Sequence, residues 1–250
     1  MRYGEIVELG RHRLMCGDAT NRDDVMRLVD GEQVNLVLTD PPYGMNVQNS
    51  KGRIGGGKRL TLSGNSTLYL ESRKYPPLIG DNSPETSRKH YEIAKTISKK
   101  FIIWGGQYFA NILPVNGGWL FWNKRTGNND FSDGELAYTN IGKRVRMYTQ
   151  LWNGVCMEGN YAINARDKVA RVHPTQKPVE LHMKILEDFS KPDDVVLDCF
   201  GGSGTTLIAC EMTGRKCLMM EISPEYCDVI RRRYEKLTEG KLPLEVVHER

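Results

Sequence analysis

The stretch "DDVVLDCFGGSGTT", Asp193 to Thr206, is where the architecture is decided. Its first half, Val195, Val196 and Leu197 closing on Asp198, is a short apolar run of the kind that forms a buried strand. Its second half gathers Gly201, Gly202 and Gly204 ahead of an apolar helical segment, which reads as a tight turn opening into a helix. Gly202 and Gly204 let the backbone of that turn approach a ligand closely. Downstream, "RKCLMMEISPEY" forms a second strand that ends at Glu221, about where an acid binds ribose hydroxyls, and a charged helix follows from Pro224 to about Thr238. Two ligand classes fail on spacing. The third glycine of a nicotinamide fingerprint would fall at Leu207, and no lysine follows the turn as a phosphate-binding loop requires. A purely structural glycine turn stays open. The better fit is a nucleoside cofactor without a pyrophosphate, with Asp198 suited to a positively charged amine.

Working outward, "VNLVLTDPPYGMNV", Val34 to Val47, begins as a second buried strand and then meets two consecutive prolines. Proline removes backbone donors, so the chain must leave the sheet at Asp40, carrying a carboxylate and Tyr43 to the strand's carboxyl end in a stiff setting. A helix capped at Asn21 precedes this strand. Ser83-Pro84-Glu85 has the cap, proline and acid of another helix start, which should run to about Lys100. "FIIWGG" and "GGWLFW" read as strands, and Pro178 opens a helix to about Phe189. Strands alternating with helices argue for an α/β fold, a mostly parallel sheet with helices on both faces.

Composition excludes several classes. The chain has 250 residues, 26 % charged and 39 % hydrophobic, which suits a globular core rather than a disordered chain. It contains no run of about 18 apolar residues and no signal-peptide character at its start, so no membrane span and a cytoplasmic location are expected. Six cysteines without a CxxC pair imply reduced core thiols and no metal site. The net charge of +4 is small, but positive residues concentrate in two irregular segments. One, within 45–80, holds Lys51, Arg53, Lys58 and Arg59; the other, within 141–172, holds Lys143, Arg144, Arg146, Arg166, Lys168 and Arg171. Each alone could be a solvated face. Interleaved with aromatic residues, the pair suggests a polyanionic partner. Gly52 to Gly64 is the segment expected to be a mobile loop.

Three motifs in a fixed order, "TDPPYG" (Thr39 to Gly44), "HPTQKP" (His173 to Pro178) and "DCFGGSGTT" (Asp198 to Thr206), resemble those of the DNA amino-methyltransferases, in the order of the circularly permuted β-class. The resemblance spans nearly the whole chain. It implies a single Rossmann-like domain over 1–250 with a mostly parallel, seven-stranded sheet. Residues 1–44 would supply a catalytic strand and turn, and 173–250 the cofactor-binding half. It also implies S-adenosylmethionine as cofactor and double-stranded DNA as substrate. By the resemblance, the Asp40 side chain and Pro41 carbonyl accept the hydrogens of an exocyclic amine, Pro42 stiffens the turn, and Tyr43 stacks on a base rotated out of the duplex. Phe200, Gly202, Ser203, Gly204 and Thr205 would surround the methionine moiety, with Asp198 beside them. Glu221 would take the ribose and Ile222 the adenine face, with Asp18 and Ala19 nearby; His173 and Lys177 would close over the methionine end, Lys177 meeting its carboxylate. An aspartate at the head of DPPY favours adenine over cytosine as the base, N4-cytosine being the alternative. A C5-cytosine enzyme would need a Pro-Cys pair, which the chain lacks. A catalytically silent DNA-binding module, a homodimer and a restriction endonuclease partner all stay open. Base reading is expected from the second basic segment, around Tyr148, Gln150 and Asn164.

Overall fold

The computed structural model describes residues 1–44, 79–115, 117–125, 132–151 and 176–239, together with the backbone of 59–61 and 67–69. The strands are β1 (Ile6–Leu9), β2 (His12–Cys16), β3 (Leu36–Thr39), β4 (Arg59–Thr61), β5 (Thr67–Tyr69), β6 (Phe101–Trp104), β7 (Gly118–Asn123), β8 (Gly134–Thr139), β9 (Val145–Thr149), β10 (Val195–Asp198) and β11 (Lys216–Glu221). The helices are α1 (Arg22–Val29), α2 (Glu85–Ala94), α3 (Val179–Phe189), α4 (Thr205–Met212) and α5 (Pro224–Thr238), with a 3₁₀ turn over Gly106–Phe109.

One nine-stranded sheet runs in the order β1-β2-β11-β10-β3-β6-β8-β7-β9. Nine strands replace the seven expected, and the additions are edges: β1 folds back on β2 as an antiparallel partner, and β9 lies beyond β7. From β2 to β6 every neighbouring pair is parallel, whereas β8 runs antiparallel to both β6 and β7. The two ends of the chain meet at the centre, where β10 of the C-terminal half pairs with β3 of the N-terminal half, Val196 opposite Leu36 and Leu197 opposite Val37.

Strand periodicity divides the core into two layers. Leu36, Leu38, Ile102 and Trp104 face one way and pack with Leu181, Ile185, Leu207 and Ile230 of α3, α4 and α5. Val37, Phe101 and Ile103 face the other way, against Val25 and Leu28 of α1 and Tyr91 and Ala94 of α2. Successive strand side chains point to opposite faces, so a continuous apolar run such as LVLT requires a helical cover on both sides. Burying each such side chain contributes roughly 1.5–3 kcal/mol against exposure.

Local signals fix most boundaries. The Asn21 side chain accepts from the backbone N–H of Asp23, capping α1, and Ser223 caps α5 by accepting from Tyr226. Helix α2 ends at Ala94, short of the expected Lys100, with Ser98 instead closing a turn against Lys100. Within the first basic segment the backbone of Arg59–Thr61 pairs antiparallel with Thr67–Tyr69, so part of the expected loop is a hairpin. Lys51, Arg53, Lys58, Asn164, Arg166, Lys168, Arg171 and His173 lie outside the described residues.

Candidate active site

The parallel strands β2, β11, β10, β3 and β6 all deliver their carboxyl ends to one side of the sheet. Connections leave β10 toward β11 and β3 toward β6, in opposite directions, so a crevice opens between β10 and β3. It encloses a cavity of about 280 Å³. Asp18, Asp40, Tyr43, Lys177, Asp198 and Glu221 all border it. The expected catalytic and cofactor residues that the structure describes are therefore drawn to one place, from both halves of the chain.

The glycine turn forms the floor. Gly202 and Gly204 have φ of 52° and 83°, left-handed values that favour glycine. Glu221 leaves β11 beneath the turn; its Oε2 accepts from Gly202 N at 2.7 Å and its Oε1 from Ser223 N at 2.9 Å. Burial nevertheless pushes this carboxyl up to about 7, the backbone donors pulling it back only in part. Asp198 ends β10 with Oδ1 accepting from Thr39 Oγ1 at 2.8 Å and Phe200 N at 3.1 Å, and burial raises it to about 6. Asp18 folds over Thr20, accepting from both its N–H and its hydroxyl at 2.8 Å, while Ala19 is buried beside it. Arg233 of α5 donates to the Ser203 carbonyl from below, and Thr205 Oγ1 donates to the Lys177 carbonyl at 3.2 Å.

The DPPY turn forms the opposite wall. Ser87 Oγ of α2 donates to the Pro42 carbonyl at 2.7 Å, and Asp81 accepts from Gly44 N at 3.0 Å, so the turn is fastened to the start of α2. Tyr43 Oη donates to Asp40 Oδ1 at 2.6 Å, and its ring stacks on Tyr108 with centroids 5.1 Å apart. Gly105, at φ 69°, makes room for that ring: a Cβ there would lie 2.0 Å from Tyr43 Cε1.

Lys177 takes a position the sequence did not suggest. Expected to meet the cofactor carboxylate, its ammonium instead donates to Asp40 Oδ2 and lies 3.3 Å from Glu135 Oε2 of β8 and from the Tyr43 hydroxyl. The lysine is 4 % exposed, whereas Asp40 keeps 21 % of its side chain open to the crevice. Burial holds the Asp40 carboxyl above the usual carboxylate range, opposed by Lys177. Glu135 goes the other way: burial would raise it, but Lys177 and Lys124 hold it below that range. Behind them His182 accepts or donates at Thr206 Oγ1, 3.1 Å away, and stacks on Trp104. Glu135, Ser87, Asp81, Tyr108 and Arg233 escaped the sequence reading because none belongs to a motif. The apolar alternation that marks strands is weak across β8, whose first three residues are only half-buried.

The second basic segment lies elsewhere. Because β8 reverses direction, Thr139 pairs with Ile102 near the start of β6, and the turn carrying Lys143 and Arg144 sits at the sheet edge opposite Asp40. Arg146 pairs with Asp188 of α3 at 3.1 Å. Tyr148 is buried and donates to Asp188 at 2.5 Å, and Gln150 bonds Glu180 and Lys184. These side chains join β9 to α3, and the expectation that Tyr148 and Gln150 read bases is corrected accordingly.

A model of the N6_N4_Mtase family, described as DNA methylase, matches residues 85–232, more than half of the chain. The chain belongs to this family of DNA methylases. It is 41 % identical over 224 residues to "Putative methylase YubD" of Escherichia coli (strain K12), the match covering 86 % of each protein. To the type II methyltransferase M.HpaI of Haemophilus parainfluenzae it is 25 % identical over 258 residues, 91 % of this chain and 76 % of that one. The PvuII DNA methyltransferase (cytosine-N4-specific) shares the fold with a TM-score of 0.55 at 16 % identity, over 98 % of both chains. A DNA modification methylase of Thermus thermophilus, TTHA0409, complexed with S-adenosyl-L-methionine, gives 0.51 at 20 % identity, over 93 % of this chain and 95 % of that one. The DNA methylase family thus owns both walls of the crevice: the model spans the glycine turn and Glu221, and the more complete relatives extend over nearly the whole chain.

Proposed function

We propose that this DNA methylase transfers a methyl group from S-adenosylmethionine to the exocyclic amine of an adenine rotated out of duplex DNA. The observation that carries this reading is the bond from Thr39 to Asp198, at 2.8 Å, which ties the strand bearing Asp40 to the strand bearing the glycine turn. It brings an amine acceptor and a nucleoside cradle to one crevice.

The cradle suits the cofactor by its own chemistry. Glu221 and Asp198 are buried carboxyls facing a cavity, poised to ionise when hydroxyls or an ammonium reach them. The glycine turn Gly202–Gly204 admits close approach of the methionine portion beside Phe200, Ser203 and Thr205; Glu221 takes the ribose, and Ile222, Asp18 and Ala19 the adenine. S-adenosylmethionine supplies an electrophilic methyl carbon on a sulfonium sulfur, which leaves as a neutral thioether. At the other wall, the Asp40 carboxylate and the Pro41 carbonyl accept the two amine hydrogens, drawing the nitrogen lone pair out of the ring plane. Pro42, fixed by Ser87, and Tyr43, fixed against Tyr108, preorganise those acceptors, so little rearrangement is needed as charge develops. The proton released from nitrogen goes first to Asp40, whose carboxyl burial already holds up. Tyr43 offers a ring on which an extruded base can stack.

DNA approaches from the first basic segment. Ile79 and Gly80, where that segment returns, line the crevice, and the hairpin β4–β5 belongs to it. Lys51, Arg53, Lys58 and Arg59 are the phosphate contacts we assign there. The aspartate heading DPPY favours adenine. The test is to incubate duplex DNA of mixed sequence with the protein and methyl-labelled cofactor, digest it to nucleosides and separate them. N6-methyladenine is expected; N4-methylcytosine would move the reading to cytosine, and unlabelled DNA with folded protein would overturn it.

A further inference from the structure

Four charged side chains alternate in sign along one line behind the DPPY turn: Asp40, Lys177, Glu135 and Lys124. Lys177 bridges the two acids, and Lys124 Nζ reaches Glu135 Oε1 at 2.5 Å while lying 4.9 Å from the centre of the Trp122 ring. The Lys177 ammonium also lies 5.0 Å from the centre of the Trp104 ring, so the cation is held by carboxylates on two sides and an aromatic face on a third. Glu135 comes from β8, paired across from Trp122, and belongs to none of the three motifs.

The arrangement poses an electrostatic problem. An ammonium in direct contact with Asp40 keeps the carboxylate ionised, but it also weakens it as an acceptor for the hydrogens of a neutral amine. It opposes, too, the positive charge that grows on the nitrogen as the methyl group arrives. A second carboxylate on the far side of the ammonium divides its field. We propose that Glu135 is a positioning residue of the methyl-transfer site, holding Lys177 between two carboxylates so that Asp40 stays ionised without being neutralised. The inference rests on Asp40 as the amine acceptor.

The described groups that face this cluster are Tyr43 on the turn itself, Tyr108 after β6, Lys124 at the start of the segment after β7, His182 on α3 and Asp198 at the end of β10. His182 is held neutral, lowered to about 3 by burial and by Lys177, so it adds no charge near neutral pH. Asp198 adds a negative charge that works in the same direction as Glu135 on Asp40.

The test combines a titration that needs no turnover with one that does. Carboxyl ¹³C NMR of the cofactor-free protein follows Asp40 in wild type, E135Q and K177M, with thermal melting to confirm folding. In E135Q the Asp40 midpoint should fall, and in K177M it should rise, each by about one pH unit. Single-turnover methylation of duplex DNA should slow about tenfold in E135Q. In K177M its acid limb should move to higher pH. The double variant E135Q/K177M should recover part of the rate lost in E135Q, because the unbalanced cation is gone. If E135Q does not fold, E135D withdraws the carboxylate by one methylene and should give the same shifts in smaller degree. An Asp40 midpoint unmoved in E135Q, or a double variant as slow as the product of the two single losses, overturns the proposal. Shifts of the expected sign in a protein that methylates no DNA would instead overturn the assigned reaction and leave the charge arrangement standing.

Discussion

Glu221 and Asp198 are acids that the fold destabilises in their charged forms, and the sign of their pH dependence follows from that. For Glu221 the folded value is about 7; unfolded, a glutamate titrates near about 4.3. Between the two the folded, ligand-free protein binds more protons than the unfolded chain, so this group contributes stability that grows as pH falls through that window. Asp198, at about 6, acts the same way over a lower range. Cofactor binding should show the reverse. A ribose held by ionised Glu221 is favoured above the folded value, so affinity measured by calorimetry should fall below pH 7, by at most about tenfold per unit. Proton release on binding should be seen near neutrality as a dependence of the heat on buffer. Glu221→Ala should flatten the pH trend and weaken binding by roughly 1–3 kcal/mol; affinity that falls as pH rises would contradict the role. Tyr43 carries two separable functions, a ring stacked on Tyr108 and a hydroxyl on Asp40. Tyr43→Ala should slow methylation by the loss of a stacking platform, on the order of 1–3 kcal/mol. Tyr43→Phe keeps the platform and should be milder, with an acid limb moved upward because one donor to Asp40 is gone. Equal losses in both would remove stacking from the account.

At the scale of elements, the turn after β6 determines where the DPPY ring can lie. Gly105 has φ 69°, and its missing side chain is occupied by the Tyr43 ring. Gly105→Ala should therefore displace Tyr43, costing at least about 1 kcal/mol of stability from the left-handed backbone alone and slowing methylation further than that cost accounts for. Thermal melting and single-turnover rates on the same sample separate the two; a normal rate in a destabilised protein would show that the ring need not sit there. The strands and helices flanking the site were legible because each carries its own signal. The runs LVLT and VVLD are buried on both faces, Asn21 and Ser223 cap their helices, and proline marks the starts of α3 and α5. β8 and β9 were not legible. The first residues of β9 are exposed, so its charged side chains carry no apolar alternation and resemble an irregular basic segment. Only the long-range pairing of β9 with β7 makes it a strand, and no local pattern encodes such a partner.

Across the whole molecule, the same reversal at β8 removes Lys143 and Arg144 from the neighbourhood of Asp40 and leaves the segment after Gly44 as the side from which DNA arrives. Charge distribution along the sequence showed two basic segments but could not show on which edge of the sheet each would fall. Binding to duplex DNA should weaken linearly in log–log terms with salt, each lost phosphate contact reducing the slope by about one. Replacing Lys58 and Arg59 with alanine should flatten the slope, while replacing Lys143 and Arg144 should leave it nearly unchanged. The opposite outcome would return the duplex to the far edge. The motifs in residues 39–44 and 198–206 lie far apart in sequence and become neighbours only because β3 and β10 pair at the centre of the sheet. That adjacency makes Asp40 the point on which the assigned chemistry turns. Its most direct test is single-turnover methyl transfer to duplex DNA by Asp40→Ala, with cofactor affinity measured by calorimetry on the same folded protein. The expected result is a rate lower by about 10²-fold or more with cofactor affinity retained. A wild-type rate, or a rate loss explained wholly by lost cofactor binding, would contradict it.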